Sequence, residues 1–325
     1  MKDKYIIIFI IIICITLIII NKLKNKGFIE YPTIYIICFK SEYIYYEDYI
    51  KSILSKLEVD NVPYILHLDS SVSDSFFLNK LINSHFIFLH DLAYVKISEE
   101  TEKKIISQSS IINTEQLTRR SELTKILEYI NKGYRIIDYS IGNIKILNTY
   151  NFHNMVFYLP YQVNYEEIQE KNIKRSLDMC SITPESSTHR KYVYYTIKSF
   201  DLVNITPVSG FLKERDDLIL KHKILLNIHY NPSYSTFESI RCDRLIFNKV
   251  IIFSEKSLEG SIPEDIKPYV IEFESLNDAY TKLELIMKNS DAYYNKFWSE
   301  FSLPKINSSR ESYLKLWLQT IVYNQ

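Results

Sequence analysis

Residues 223–255 read KILLNIHYNPSYSTFESIRCDRLIFNKVIIFSE, and this stretch decides the fold. The apolar run at 224–229 has the length and branched-chain content of a buried strand. A polar loop rich in Pro and Ser follows at 231–235. An amphipathic segment over 236–247 then reads as a helix, and a second apolar run at 250–253 as another strand ending in Ser254 and Glu255. Strands that are apolar throughout, joined by a helix, form a parallel unit whose sheet is covered on both faces.

The same alternation extends in both directions. Upstream, strands are expected at 33–39 (TIYIICF), 64–68, 85–89 (HFIFL), 111–113, 135–139 (RIIDY) and 155–158, with helices at 46–57, 75–83 and 120–131. The pattern then restarts, with strands at 179–182, 201–205, 224–229, 250–253 and 269–273 and helices at 188–200, 236–247 and 276–289. Two successive α/β runs predict two Rossmann-like, doubly wound parallel-sheet domains, over residues 28–162 and 163–290. Residues 291–325 read as helices carrying Trp298 and Trp317, which either cap the second domain or cross back to the first.

Ahead of these domains, residues 5–20 are almost entirely Ile, Leu and Phe. The run approaches the minimum of ~17 residues for a spanning helix, and no small-residue cleavage site follows it. Residues 1–27 are therefore expected to be a membrane anchor. Lysines flank it on both sides, and counting them places the body on the cytosolic side by a margin of about one charge.

The chain has 325 residues, with 39 basic and 39 acidic side chains, and shows no basic stripe that would grip nucleic acid. Its four cysteines, Cys14, Cys38, Cys180 and Cys242, lie far apart and match neither a disulfide framework nor a zinc spacing. The 5 glycines and 27 tyrosines fit a compositional bias, which leaves an isolated tyrosine little weight as a signal.

Ligands of open α/β sheets bind beyond the carboxyl ends of the strands. In the second domain the polar residues read into that position are Arg190, Lys223, Asn227, His229, Glu238, Arg241, Ser254 and Glu255. A helix start there favours a diphosphate, with Arg or Lys neutralising it and Glu238 accepting from sugar hydroxyls. Alternatively, Thr236 is an N-cap and Glu238 an ordinary first-turn acid. In the first domain His90, Asp91 and Glu115 follow strand ends, where His90 or Asp91 can act as base on an acceptor hydroxyl and Glu115 can hydrogen-bond an acceptor sugar; alternatively Asp91 simply caps a helix. His67, Asp69, Asp138 and Asn143 read as structural or turn residues, and Arg215 as part of a solvated charged loop.

The block Asn227-Ile-His229, Phe237-Glu-Ser-Ile-Arg241 and Ser254-Glu255 resembles the donor-binding region of GT-B glycosyltransferases of the kind encoded by large DNA viruses and some bacteria. Ser187-Thr-His-Arg190 resembles the basic turn after the first strand of that domain, while Asn113-Thr-Glu-Gln116 and Tyr158-Leu-Pro-Tyr161 resemble first-domain and interdomain segments. The resemblance implies two Rossmann-like domains across a cleft. It implies transfer from a nucleotide sugar to a glycan, lipid or protein acceptor, with no metal or other cofactor. The chain departs from that pattern in its scarce glycines, in Phe247-Asn-Lys249 where Gly-x-Pro is usual, and in having no second glutamate spaced after Glu238. A catalytically inactive scaffold or glycan-binding protein is the alternative. The absence of GxGxxG after the first strand argues against an oxidoreductase.

Overall fold

The computed structural model describes residues 31–68, 72–90, 92, 95–169, 175, 177–210 and 212–323. The anchor expected at residues 1–27 lies outside the described residues, as do Asp69 and Asp91. No described helix is long and apolar enough to cross a membrane.

Two all-parallel sheets organise the chain. The first is six-stranded in the order β2-β1-β3-β4-β5-β6, with β1 Thr33–Ile37, β2 Tyr64–His67, β3 Ser84–Leu89, β4 Ser109–Asn113, β5 Arg135–Asp138 and β6 Val156–Tyr158. Its helices are α1 Lys40–Val59, α2 Asp74–Leu78, α3 Glu99–Ile105, α4 Arg120–Lys132 and α5 Ile141–Asn148. Strand side chains alternate between faces, which explains why these strands are apolar throughout. Ile34 and Ile36 join one core, Tyr35 and Ile37 the other; Ile87 and Leu89 likewise oppose Phe86 and Phe88.

The second sheet is five-stranded in the order β11-β10-β9-β7-β8, with β7 Leu177–Ile182, β8 Ile205–Val208, β9 His222–Asn227, β10 Ile251–Glu255 and β11 Val270–Phe273. Its helices are α6 Thr188–Lys198, α7 Leu212–Ile219, α8 Ser239–Phe247 and α9 Leu276–Met287, followed by α10 Ser290–Phe297 and α11 Leu303–Tyr323. Two successive parallel α/β sheets are what the alternation of apolar strands and helices implied.

Several local expectations need correction. The strand placed at 201–205 is β8, Ile205–Val208, and Asp201 occupies the left-handed turn before it (φ 55). The helix placed at 236–247 starts only at Ser239, so Glu238 rather than Thr236 holds the N-cap position. The supposed loop around Arg215 is α7, and the turn region after β5 contains α5.

The last helix crosses back to the first domain. On α1, Lys56 donates to Asn307 (2.8 Å) and pairs with Glu311 (2.9 Å) of α11. The Tyr158 and Tyr313 rings meet edge-on at 4.9 Å. Arg310, also on α11, is fully buried. It donates to the Tyr161 carbonyl (2.7 Å), to Asp243 of α8 (2.6 Å) and to Asp265 (2.7 Å). One side chain thus ties the returning helix, the interdomain segment and the second domain together. Burial pushes the Asp243 carboxyl up to about 6 even beside this cation.

In each sheet the strand order reverses once, between β1 and β3 and between β7 and β9, and such switch points form crevices at the carboxyl ends of the strands. Both crevices carry a non-glycine residue with left-handed backbone: His90 after β3 (φ 67) and Thr183 after β7 (φ 44). A branched side chain is strained in that region. With so few glycines, the chain makes these turns at a steric cost that glycine would not incur. Thr183→Gly should therefore stabilise the protein by ~1 kcal/mol, the relieved strain exceeding the added entropy of the unfolded chain. A higher melting temperature in a thermal scan is the expected reading.

Candidate functional site: an arginine- and tyrosine-lined cleft between the two sheets

The carboxyl ends of the two sheets border one cleft of about 710 Å³. Its second-domain wall begins at the β7/β9 switch point. Ser187 caps α6 by accepting from the Arg190 N–H, which starts the helix beside the crevice. The Arg190 guanidinium is buried and held on several sides. Its Nε donates to the Ile228 carbonyl (2.9 Å), its Nη1 to Ser186 Oγ (3.0 Å) and its Nη2 to Glu238 Oε1 (3.2 Å). Glu238 also pairs with Arg241, whose Nη1 reaches Asn227 Oδ1 (3.3 Å). Asn227 is braced in turn by its amide donating to Ser254 Oγ (3.0 Å). Burial, with the Arg241 charge acting the same way, pulls the Arg190 pKa down to about 10, which leaves it cationic at neutral pH.

Arg215, Asp216 and Arg244 continue this wall. Arg244 pairs with Asp216 (2.5 Å), and both arginines reach Asp48 of α1 across the cleft (3.4 and 3.5 Å). Arg119 belongs to the first domain and lies over the Tyr234 ring (5.3 Å), while Arg190 lies over Tyr230 (5.6 Å). The cleft is therefore lined by five arginines, at 119, 190, 215, 241 and 244, against the four carboxylates Asp48, Glu115, Asp216 and Glu238.

The first-domain wall rests on the loop after β4. Buried Asp138, at the end of β5, accepts from Asn113 Nδ2 (2.6 Å), Asn143 Nδ2 (3.0 Å) and the Ser140 N–H (2.7 Å). The same two amides donate to the Glu115 carbonyl (2.9 and 2.8 Å), and Asn143 Oδ1 accepts from the Leu117 N–H (2.9 Å). Asp138 and Asn143, read from sequence as turn residues, in fact fix the loop that presents Thr114, Glu115 and Gln116 to the cleft. The Glu115 side chain pairs with Arg119 (2.6 Å). Close approach of the domains beside this loop requires Gly142, where a Cβ would stand 2.8 Å from both Thr236 Cγ2 and Ser261 Cβ.

Burial pushes the Asp138 carboxyl up to about 7, against the pull of its three donors. The sign for stability follows. The native state keeps this proton to a higher pH than the unfolded chain, so the contribution is full below about 4 and is lost as the pH rises through 7. Asp243 acts in the same sense. Asp138 thus adds a downward slope to the melting temperature between pH ~4 and ~7, while buried His85, its pKa pulled down to about 3, adds an upward one below ~6.5. Asp138→Asn should flatten the downward slope while lowering stability throughout, because its new NH2 would face donors.

Of the residues singled out from sequence, Glu115, Arg190, Glu238 and Arg241 line the cleft together. His90 stands one residue behind, its Nδ1 hydrogen-bonded to Thr114 Oγ1. Asn227 and Ser254 form the layer beneath Arg241. His229 and Glu255 serve a neighbouring turn. The His229 N–H donates to Glu255 (2.8 Å), and the same carboxylate meets His189 (2.9 Å). Lys223 does not belong to the site: it lies at the amino end of β9 and pairs with Asp291 (2.8 Å). The sequence reading missed Tyr45, Tyr46, Asp48 and Tyr49 of α1, which it started six residues late, and also Tyr139, Tyr230 and Tyr234. Among the described residues no group of three or more His, Cys, Asp or Glu is arranged so that it could hold a metal ion.

Fold and site together define an α/β protein of two parallel sheets with an arginine-rich cleft at the carboxyl ends of their strands. The chain belongs to the same family as the uncharacterized protein L140 of Acanthamoeba polyphaga mimivirus, to which it is 31% identical over 253 residues, 76% of this chain and 77% of that protein. It is also 31% identical over 271 residues to the uncharacterized protein L138 of the same virus, covering 80% of this chain but only 29% of that protein, so it spans less than a third of that relative's length. Among solved structures, the crystal structure of TarM aligns over 76% of this chain and 57% of its own, with a TM-score of 0.49 and 15% identity. No known family profile matches the chain.

Proposed function

We propose that this protein is a glycosyltransferase that moves a sugar from a nucleotide-sugar donor to an acceptor hydroxyl. The observation that carries the reading is the Arg190–Glu238–Arg241 cluster at the β7/β9 switch point, facing Glu115 across the cleft. Two guanidinium groups braced by a carboxylate suit a diphosphate, which Arg can bind in a bidentate manner. Glu238 then accepts from donor hydroxyls.

In the transfer, the bond from the anomeric carbon to the β-phosphate oxygen breaks and its electron pair leaves with the nucleoside diphosphate. The acceptor oxygen bonds to the anomeric carbon and gives its proton to a base. Glu115 is the carboxylate on the acceptor side, and His90 stands behind it next to Thr114. Arg190 and Arg241 stabilise the departing diphosphate, so in this proposal the arginines supply that charge without a metal or another cofactor.

The test is to incubate the intact chain with a panel of UDP- and GDP-sugars and measure release of free nucleotide. Turnover of at least one donor is expected. No turnover of any donor, together with no binding of UDP or GDP, would overturn the assignment.

A further inference from the structure

The two walls of the cleft differ in kind. The second-domain wall combines its arginines with the aliphatic side chains Ile182, Ile219, Ile240 and Leu245. Among the described residues, the first-domain wall contains no aliphatic side chain. Its apolar lining consists of tyrosines, Tyr45 and Tyr46 in front with Tyr49 and Tyr139 buried behind them, and its polar lining comes chiefly from the loop carrying Glu115 and Gln116. The hydroxyls of Tyr46, Tyr49 and Tyr139 are already engaged, that of Tyr46 with the Thr114 side chain. Tyr49 donates to the Leu159 carbonyl (2.8 Å) and Tyr139 to the Thr114 carbonyl (3.1 Å). Tyr49 and Tyr139 are thereby locked behind the wall, Tyr49 with no exposed surface and Tyr139 with almost none, and the rings a ligand meets are those of Tyr45 and Tyr46. Tyr45 stands at the mouth, 56% exposed.

We infer that the acceptor is a carbohydrate, seated on these tyrosines with its hydroxyls directed at Glu115 and Gln116. This rests on the glycosyltransferase reading above. A pyranose has apolar C–H faces and a rim of hydroxyls, which matches aromatic rings bordered by a carboxylate and an amide. A hydrocarbon chain lacks the second half of that match. Laid on this wall, it would strip water from Glu115, Gln116 and Asp48 without returning a hydrogen bond. An extended peptide pairs through its backbone, for which this side-chain-lined wall offers no strand edge.

The experiment uses the intact chain and a donor it turns over, and measures nucleotide release with maltotriose, chitotriose, lactose, undecaprenyl phosphate or a Ser/Thr-rich peptide added. At least one oligosaccharide is expected to accelerate release about tenfold or more over water, a gain attributable to a positioned acceptor. Tyr45→Ala should raise the KM for that saccharide roughly fivefold to tenfold, with little change in kcat, as expected for lost aromatic packing. Acceleration by undecaprenyl phosphate or peptide alone would overturn the carbohydrate inference and leave the transferase reading standing. A Tyr45→Ala variant with unaltered saccharide KM would remove the tyrosine wall from acceptor binding. Absence of any donor turnover, together with no binding of UDP or GDP, would sink both readings.

Discussion

Arg241→Met should lower kcat/KM for sugar transfer by roughly 10²–10³, the scale on which one preorganised charge-stabilising group acts in a transition state. The leaving diphosphate gathers charge as its bond to the sugar breaks, and Arg241 is placed by Glu238 and Asn227 to meet it. Stability should change little, because Arg241 keeps part of its side chain in solvent and its partners remain hydrogen-bonded to others. Arg190 is the less clean target, since its guanidinium also holds the Ile228 carbonyl and Ser186. Arg241→Lys should recover only part of the loss, because an ammonium lacks the planar fork that spans two phosphate oxygens. Steady-state kinetics with a thermal melt checks both halves. Full activity in Arg241→Met would remove the cluster from catalysis.

The second large effect is on stability. Arg310→Met should cost ~3–5 kcal/mol, as expected when one partner of a buried ion pair is removed and the other charge is left behind. Asp243 is buried, and Asp265 loses its partner as well. The Tyr161 carbonyl would also lose its donor. Because Arg310 joins the returning helix to both domains, denaturant unfolding should shift to lower concentration. The loss should be smaller at mildly acidic pH, where a lone Asp243 takes up a proton. A variant as stable as the parent at neutral pH would show that the returning helix is held by its apolar contacts alone.

Much of the fold was legible because parallel strands covered on both faces are apolar along their whole length. TIYIICF and HFIFL carry that signature, and both are strands of the first sheet. What failed to show were elements whose purpose is the cleft. Helix α7 reads LKERDDLI, a charge run resembling a solvated loop, yet Arg215 and Asp216 point to Asp48 and Arg244. Helix α5 is short and contains Gly142, so it reads as a turn, although that glycine is where the two domains touch.

The site was legible in proportion to how local it is. Phe237-Glu-Ser-Ile-Arg241 places Glu238 and Arg241 three residues apart on one helix start, and the structure brings them together. Asp48, Tyr45, Tyr46 and Tyr49 enter from a helix far away in sequence, while Tyr230 and Tyr234 lie in the adjoining loop and are hidden only because an isolated tyrosine carries little weight in this composition. Lys223 stands at the start of its strand, and strand direction alone puts it at the end of a parallel sheet that ligands do not use.

The central claim is that the cleft binds a nucleoside diphosphate at Arg190 and Arg241. A structure of the chain soaked with UDP tests it most directly. The account predicts the diphosphate at the β7/β9 switch point, in contact with both guanidinium groups, with Glu238 released toward the donor sugar position. A diphosphate bound elsewhere on the molecule, with the Arg190–Glu238–Arg241 cluster undisturbed, would contradict it.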